Sequence, residues 1–355
     1  MKRSAFCAAV SVTLLLCAVT SGPATAKSTT VVTYDDFSNP ATYNSKWDAP
    51  YGPGEGTSGV SGGTFNVKAT PFTTGYDYGV FDHLKYIRIS HASFPVPRVG
   101  SVTFESDIKA ATPGTVDGLV QQGIYAPGAP FPGAPGTWAT PGLRPAGFAP
   151  YSATVLQGQQ AGAVMNMVDF CTGQLFDWFV AGNTAFPLIE RLPTAVTGNT
   201  SNPNCPGATD VGPSKMYTQI IKEIPAAPGV AHHVSITFTA TGGDESSVVY
   251  AMDGNEVAKV DHVGIPLDKQ GGSKFTGTYP SLGPGERLGN DIKSLAIGHG
   301  LFSLIDAFPF QHPDVPALSV SIPVGTGNPA DAGMARLFGQ GADASFDNFV
   351  VTTRG

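Results

Sequence analysis

Apolar and polar residues alternate with period two along most of this chain, the signature of strands with one buried face. The pattern runs through 30–37 (TVVTYDDF), 63–70, 85–90, 100–110, 163–170, 174–182, 184–192, 215–224, 232–242, 246–254, 255–264, 293–302 and 344–353. Helical spacing is confined to DAGMARLFGQ, residues 331–340, and no repeat of 20 to 50 residues is present. About thirteen short strands joined by turn-rich connections predict an all-β protein, a two-sheet antiparallel sandwich with long Pro/Gly-rich loops.

Composition supports many turns. The 44 glycines and 30 prolines are spread without period or low-complexity blocks. Residues 1–26 are set apart: the basic MKR, the apolar AFCAAVSVTLLLCAVTSG and the small-residue ATA predict a secretory signal peptide and an extracellular, secreted product. The remainder, 27–355, is expected to form a single domain. A net charge of −7, made more negative when Lys2 and Arg3 leave with the leader, disfavours nucleic acid as a partner; no membrane span is expected, and the chain is read as a monomer. Cys7 and Cys17 also leave, so Cys171 and Cys205 are expected to form one disulfide in an oxidising compartment.

Chemistry concentrates in DFCTGQLFDWFVAGNTAFPLIERLP, residues 169–193, where acids sit among phenylalanines. Candidate catalytic residues are Asp177, Asp169 and Glu190, with Trp178 and Arg191 as substrate-binding residues. The geometry depends on hairpin register. A two-residue turn at Thr172 and Gly173 sends Asp169 and Asp177 to opposite faces, whereas a three-residue turn makes them cross-strand partners. In the paired case one carboxyl is held protonated by the other, dividing acid from base. The structural alternative is a brace, with Asp177 or Glu190 in a cross-strand ion pair with Arg and Trp178 in the core.

Other sites are thinly supported. His232 and His233 alternate on one strand and cannot chelate together, and His83, His91, His262, His299 and His312 are scattered. No metal site is nominated, no cofactor is identified and no G-x-S-x-G elbow occurs. The Pro/Gly-rich insert 110–153 carries Tyr125, Phe131, Trp138 and Tyr151, and a second rich stretch spans 303–320. Folded over one sheet, they would narrow an open groove to a pocket, and Trp138 is taken as a substrate-binding residue.

Three stretches resemble a known superfamily. The opening VVTYDDFSNPATYNSKWDAPYG, the hairpin SSVVYAMDGNEVAKVDHVG and the closing ASFDNFVVTTRG are similar to the concanavalin A-like lectins and glucanases, which begin on a DDF…W region and close on a DN…V strand lying beside it. The resemblance implies a jelly roll whose concave sheet holds a glycan, with structural calcium in some relatives. Its glucanase branch implies acids alternating on one strand; Glu105 and Asp107 in FESDIKA fit, but Lys109 stands where a further acid is expected. Its alginate-lyase branch implies Arg, Gln, His and Tyr on neighbouring strands, and YTQIIKE supplies Tyr217 and Gln219 without the His. Two readings follow: a secreted carbohydrate-active or carbohydrate-binding β-sandwich, a glycoside hydrolase or lyase among its forms, or a non-catalytic protein with a pocket for a small apolar ligand. The partner is accordingly a glycan or a small molecule.

Overall fold

The computed structural model describes residues 28–50, 54–73, 84–114, 121–125, 151–155, 161–191, 217–222, 224–243, 245–263, 286–289, 291–303 and 340–355. Two antiparallel sheets face each other across an apolar core. The first has eight strands: β2 (Thr57–Ser61), β3 (Thr64–Ala69), β19 (Ala342–Arg354), β5 (Val99–Ala111), β13 (Ala231–Thr241), β14 (Ser246–Met252) and β15 (Asn255–Val260) in spatial order, with β1 (Thr29–Asp35) also on β19. The second has seven: β4 (Leu84–Pro95), β18 (Ser294–Ser303), β8 (Ala161–Asp169), β9 (Gln174–Ala181), β10 (Thr184–Arg191) and β11 (Tyr217–Ile220), with β12 (Ile224–Pro225) also on β10. Two small ladders pair β6 (Gln121–Tyr125) with β7 (Tyr151–Val155) and β16 (His262–Val263) with β17 (Glu286–Arg287). A 3-10 turn (Pro40–Thr42) and one helical turn, α1 (Tyr43–Lys46), follow β1. Among the described residues no helix is long and apolar enough to cross a membrane.

All thirteen alternating segments contain strand, so the all-β sandwich expected from periodicity is the observed fold. Two segments read as single strands are broken. Residues 215–224 divide into β11 and β12 opposite Pro187 of β10, whose carbonyl accepts from the Ile221 N–H at 2.9 Å but whose nitrogen has no hydrogen to donate. Residues 255–264 divide at Asp261. Residues 331–339, where helix was expected, lie outside the described residues, as do Trp138 and Cys205.

The two sheets differ in how they meet their surroundings. In β5, β13 and β14 buried residues alternate with partly exposed ones, so one face packs inward and the other meets solvent. In β8 and β9 every residue is buried, on both faces, and their sequences are correspondingly near-continuous in apolar residues. Between the sheets, Phe94 meets Phe104 at 5.4 Å, Phe176 meets Phe238 at 5.8 Å and Trp178 meets Tyr250 edge-on at 5.9 Å.

The terminal motifs are explained by packing. β1 lies against the second half of β19, Asp35 opposite Phe349, while β3 takes the first half; a bulge at Asn348, whose φ is +53°, separates the two pairings. Buried Asp35 receives the Trp47 indole N–H at 2.8 Å, the Lys46 ammonium at 3.0 Å and the Phe37 amide at 3.1 Å. The DDF…W spacing thus places an indole on a carboxylate, and the same indole lies 5.1 Å from Phe349 of the closing strand.

Candidate functional site

Register around the β8–β9 turn decides which acids meet. Asp169 stands opposite Gln174 and Asn166 opposite Asp177, leaving Phe170 to Gly173 as a four-residue turn. This is neither of the two registers considered from the sequence. It separates Asp169 from Asp177 all the same: Asp169 shares the core-side face with Gln174, and Asp177 lies on the opposite one. Gly173, at φ +76°, closes the turn by donating to the Asp169 carbonyl at 2.9 Å.

Asp169 is spent on that turn. Its Oδ1 accepts from the Cys171 N–H at 2.9 Å and its Oδ2 from the Thr172 hydroxyl at 2.7 Å, an arrangement that replaces missing ladder bonds. Burial pushes its carboxyl up, and these donors pull it back down. Asp169→Ala should cost roughly 1 to 2 kcal/mol, read from chemical denaturation, because two partly buried donors lose a carboxylate acceptor. An unchanged midpoint would remove the turn-bracing role.

The core side of this meander holds structural residues. Trp178, expected as a substrate platform, is fully buried between the sheets, and its indole N–H donates to the Ser235 carbonyl at 2.9 Å. Even-numbered positions of β9 face the eight-stranded sheet, which sends Phe176 and Trp178 inward together. Arg191 binds the Glu286 carboxylate, a structural ion pair with an acid the sequence reading did not pair it with. Gln219 lies opposite Ile189 and Tyr217 opposite Arg191 on β11.

The other face of the seven-stranded sheet carries the remaining acids. Asp177 is fully buried there; Asn166 donates its amide N–H to Oδ1. Glu190 stands two residues beyond Leu188, the cross-strand partner of Asp177, so the two acids share this face as diagonal neighbours. Phe179 lies on it too, stacked on Phe186 at 4.9 Å and meeting Phe302 edge-on at 5.6 Å. Opposite Asn166 is Gly298, where a Cβ would come within 2.7 Å of Ile89 and 3.2 Å of Asn166 Oδ1, so glycine keeps the amide oxygen uncrowded.

Electrostatics set Asp177 apart. Burial holds its carboxyl well above the usual carboxylate range, the nearby Glu190 charge adds to that, and the Asn166 amide opposes it. A carboxyl so held keeps its proton to higher pH than an ordinary carboxylic acid and can donate while it does. Its Oδ2 and the Oδ1 of Asn166 are both buried without a hydrogen-bond partner among the described residues. Two such atoms on hydrogen-bonded neighbours are uncommon in a settled core and single this place out. Asn166 was missed from the sequence; its signal is a lone amide in the apolar run AVMNMVDF.

Elsewhere, Glu105 and Asp107 do share one face of β5, as their spacing predicts, but it is the solvent-facing side of the eight-stranded sheet. His233 sits between them, 3.5 Å from Glu105 and 2.7 Å from Asp107, and Asn348 donates to Asp107 at 2.7 Å. His232 turns the other way, to Asp253 at 2.8 Å. Among the described residues no three His, Cys, Asp or Glu side chains are placed to hold a metal ion.

Several solved structures are similar at low identity. An endo-1,3-beta-glucanase from Streptomyces sioyaensis matches over 94% of this chain and 98% of its own, at 9% identity and a TM-score of 0.38. An endo-beta-1,4-glucuronan lyase from the fungus Trichoderma reesei matches over 86% and 90%, at 13% identity and a TM-score of 0.33. The potassium-bound carbohydrate recognition domain of Emp46p matches over 90% and 94%, at 7% identity and a TM-score of 0.34. No curated protein matches the chain. A protein-family profile covers residues 146–355, which is most of the chain and includes β8–β10, β18 and β19: the protein belongs to the Family of unknown function DUF6081.

Proposed function

We propose that the protein is a secreted carbohydrate-active β-sandwich in which Asp177 and Glu190 form an acid/base pair on the seven-stranded sheet. The observation that carries this reading is Asp177 itself: a fully buried carboxyl whose Oδ2, like the Oδ1 of the Asn166 that bonds it, has no hydrogen-bond partner among the described residues, and whose proton affinity burial raises. A sugar hydroxyl both donates and accepts, so it can take a proton from the Asp177 acid while donating to the amide oxygen. Glycosidic chemistry needs one carboxylic acid to protonate the leaving oxygen and one carboxylate to act as base or nucleophile. A diagonal pair of carboxyls, one of them buried with its proton affinity raised, can supply both roles, Asp177 as acid and Glu190 as its partner.

The scaffold of this reading is one domain over 27–355, exported by the leader 1–26 and tied by a Cys171–Cys205 disulfide at the β8–β9 turn. Non-reducing peptide mapping of the secreted protein tests the last two together: the mature N-terminus should be Lys27, with Cys171 and Cys205 in one linked peptide.

A polysaccharide-release screen on the wild type and Asp177→Asn tests the chemistry. Release should fall at least about 100-fold in the variant, the size of a lost general acid. Its thermal stability at neutral pH should hold or rise, since a buried ionisable group is replaced by a neutral isostere. Glu190→Gln should lower the Asp177 pKa in a carboxyl NMR titration, because a like charge has gone. A wild type that releases sugar from no polysaccharide and binds none on a glycan array sinks the proposal.

A second reading is supported by burial. Val164, Asn166, Asp177 and Phe179, all on the candidate face, are each no more than 2% exposed. A face shut off from solvent in this way suits a small, partly apolar ligand held without reaction better than an open polysaccharide groove. Binding of apolar ligands with no sugar release and no effect of Asp177→Asn on affinity would favour it.

A further inference from the structure

A second polar site lies on the opposite side of the molecule from Asp177. The outer face of the eight-stranded sheet has a groove of about 550 Å³ spanning β2, β3, β19 and β5. Register puts its floor in rows that run across the strands. Gly59 stands opposite Asn66, Asn66 opposite Ser345 and Ser345 opposite Lys109; in the neighbouring row Lys68 stands opposite Asp343. Three inter-strand steps from β2 to β5 make the row about 14 Å long.

Two features of this floor select a ligand. Lys68 is neutralised by Asp343 at 2.7 Å, whereas Lys109 is exposed and makes no ion pair among the described residues, so the groove carries one uncompensated ammonium. Among the described residues no aromatic side chain lines it; hydroxyls, the Asn66 amide and charged groups do, interspersed with small aliphatic residues such as Val60 and Ala344. A neutral sugar in an open groove depends on a ring to stack on. A ligand held here must depend on hydrogen bonds and on charge. A single free cation is too little for a nucleic-acid backbone, whose binding needs many phosphate contacts. We infer that this groove binds an acidic oligosaccharide, a short run of carboxylated sugars laid across the strands with a carboxylate on Lys109. The site is independent of the chemistry proposed at Asp177, and it lets the protein hold a charged chain on one face whatever it does on the other.

Titration calorimetry with trigalacturonate and with maltotriose, in 20 mM and 200 mM salt, tests the inference. The acidic trisaccharide should bind at least tenfold more tightly than the neutral one, and more weakly at high salt, since exposed charges are screened. Lys109→Glu should weaken it at least tenfold. Gly59→Trp should do the same by filling the groove; a Cβ there meets nothing within 4 Å, so the larger side chain projects into open space. Both variants should melt within a few degrees of the wild type, and Asp177→Asn should bind trigalacturonate unchanged. Equal affinity for the two trisaccharides, wild-type binding by both groove variants, or loss of binding in Asp177→Asn overturns the inference; the last outcome would place the acidic chain at the Asp177 face.

Discussion

Trp47→Ala should remove about 3 to 5 kcal/mol of stability, the usual loss when a fully buried tryptophan leaves a cavity. Native domains keep only about 5 to 15 kcal/mol, so the variant should be largely unfolded at modest denaturant. Two losses combine. The indole is 1% exposed and packs against His299 at 4.4 Å, Tyr34 at 5.1 Å and Phe349 at 5.1 Å, so it joins the opening segment to both sheets. Its N–H also satisfies Oδ2 of buried Asp35, which would otherwise face an apolar hole. Trp47→Phe separates the terms: it keeps most of the volume and should cost roughly the charged hydrogen bond alone, about 1.5 to 3 kcal/mol. Urea denaturation of both variants reads the difference. Equal losses would mean that Asp35, not the cavity, dominates; no loss in either would remove Trp47 from the core argument.

Acidification should destabilise the protein through His299. The ring is fully buried among Trp47, Phe65, Phe346 and Phe349, and its Nε2 is 3.2 Å from the Tyr43 hydroxyl. Burial holds its pKa well below the ordinary histidine value, and the Arg88 cation pushes in the same direction. The native ring is therefore neutral where an unfolded histidine, with a pKa of about 6.5, begins to take a proton. Below about pH 6.5 the unfolded chain binds more protons than the native one, so stability falls as pH falls, by up to about 1.4 kcal/mol per pH unit, until the native ring itself titrates.

Asp177 acts with the opposite sign. Its raised pKa means the native state holds a proton that the unfolded chain releases above about pH 3.9, so it favours folding at lower pH. The two contributions are separable by variants. His299→Phe, or His299→Leu, should flatten the decline in stability between pH 6.5 and 5, and Asp177→Asn should steepen it. Denaturation midpoints measured across that range decide the matter; an unchanged slope in both His299 variants would show that acid sensitivity resides elsewhere.

Strand existence was legible because period-two alternation is a local property, and each of the thirteen alternating segments carries a strand. The broken segments were less legible: the cut opposite Pro187 depends on which neighbour that residue faces. Cys171, Asp169 and the four-residue turn show the limit more sharply. Turn length is set by the competition between Asp169 capping its own turn and continued ladder pairing, and residue spacing allows either. The resemblance of the terminal motifs had a physical basis, since Asp35, Trp47 and Phe349 meet.

What the sequence by itself determined was the alternation, hence the two-sheet sandwich, and the placement of Glu105 with Asp107 and of His232 against His233 on their strands. Strand parity is fixed by covalent geometry, so these relations survive any register. Only the tertiary structure decided that Trp178 points into the core, that Arg191 is taken by Glu286, and that Asp177 answers to Asn166 and Glu190 rather than Asp169. Those outcomes depend on which strand lies beside which and by how many residues it is offset. A shift of one residue exchanges a sheet's two faces, and burial, which raises the Asp177 carboxyl and lowers the His299 ring, exists only once both sheets have closed on their core.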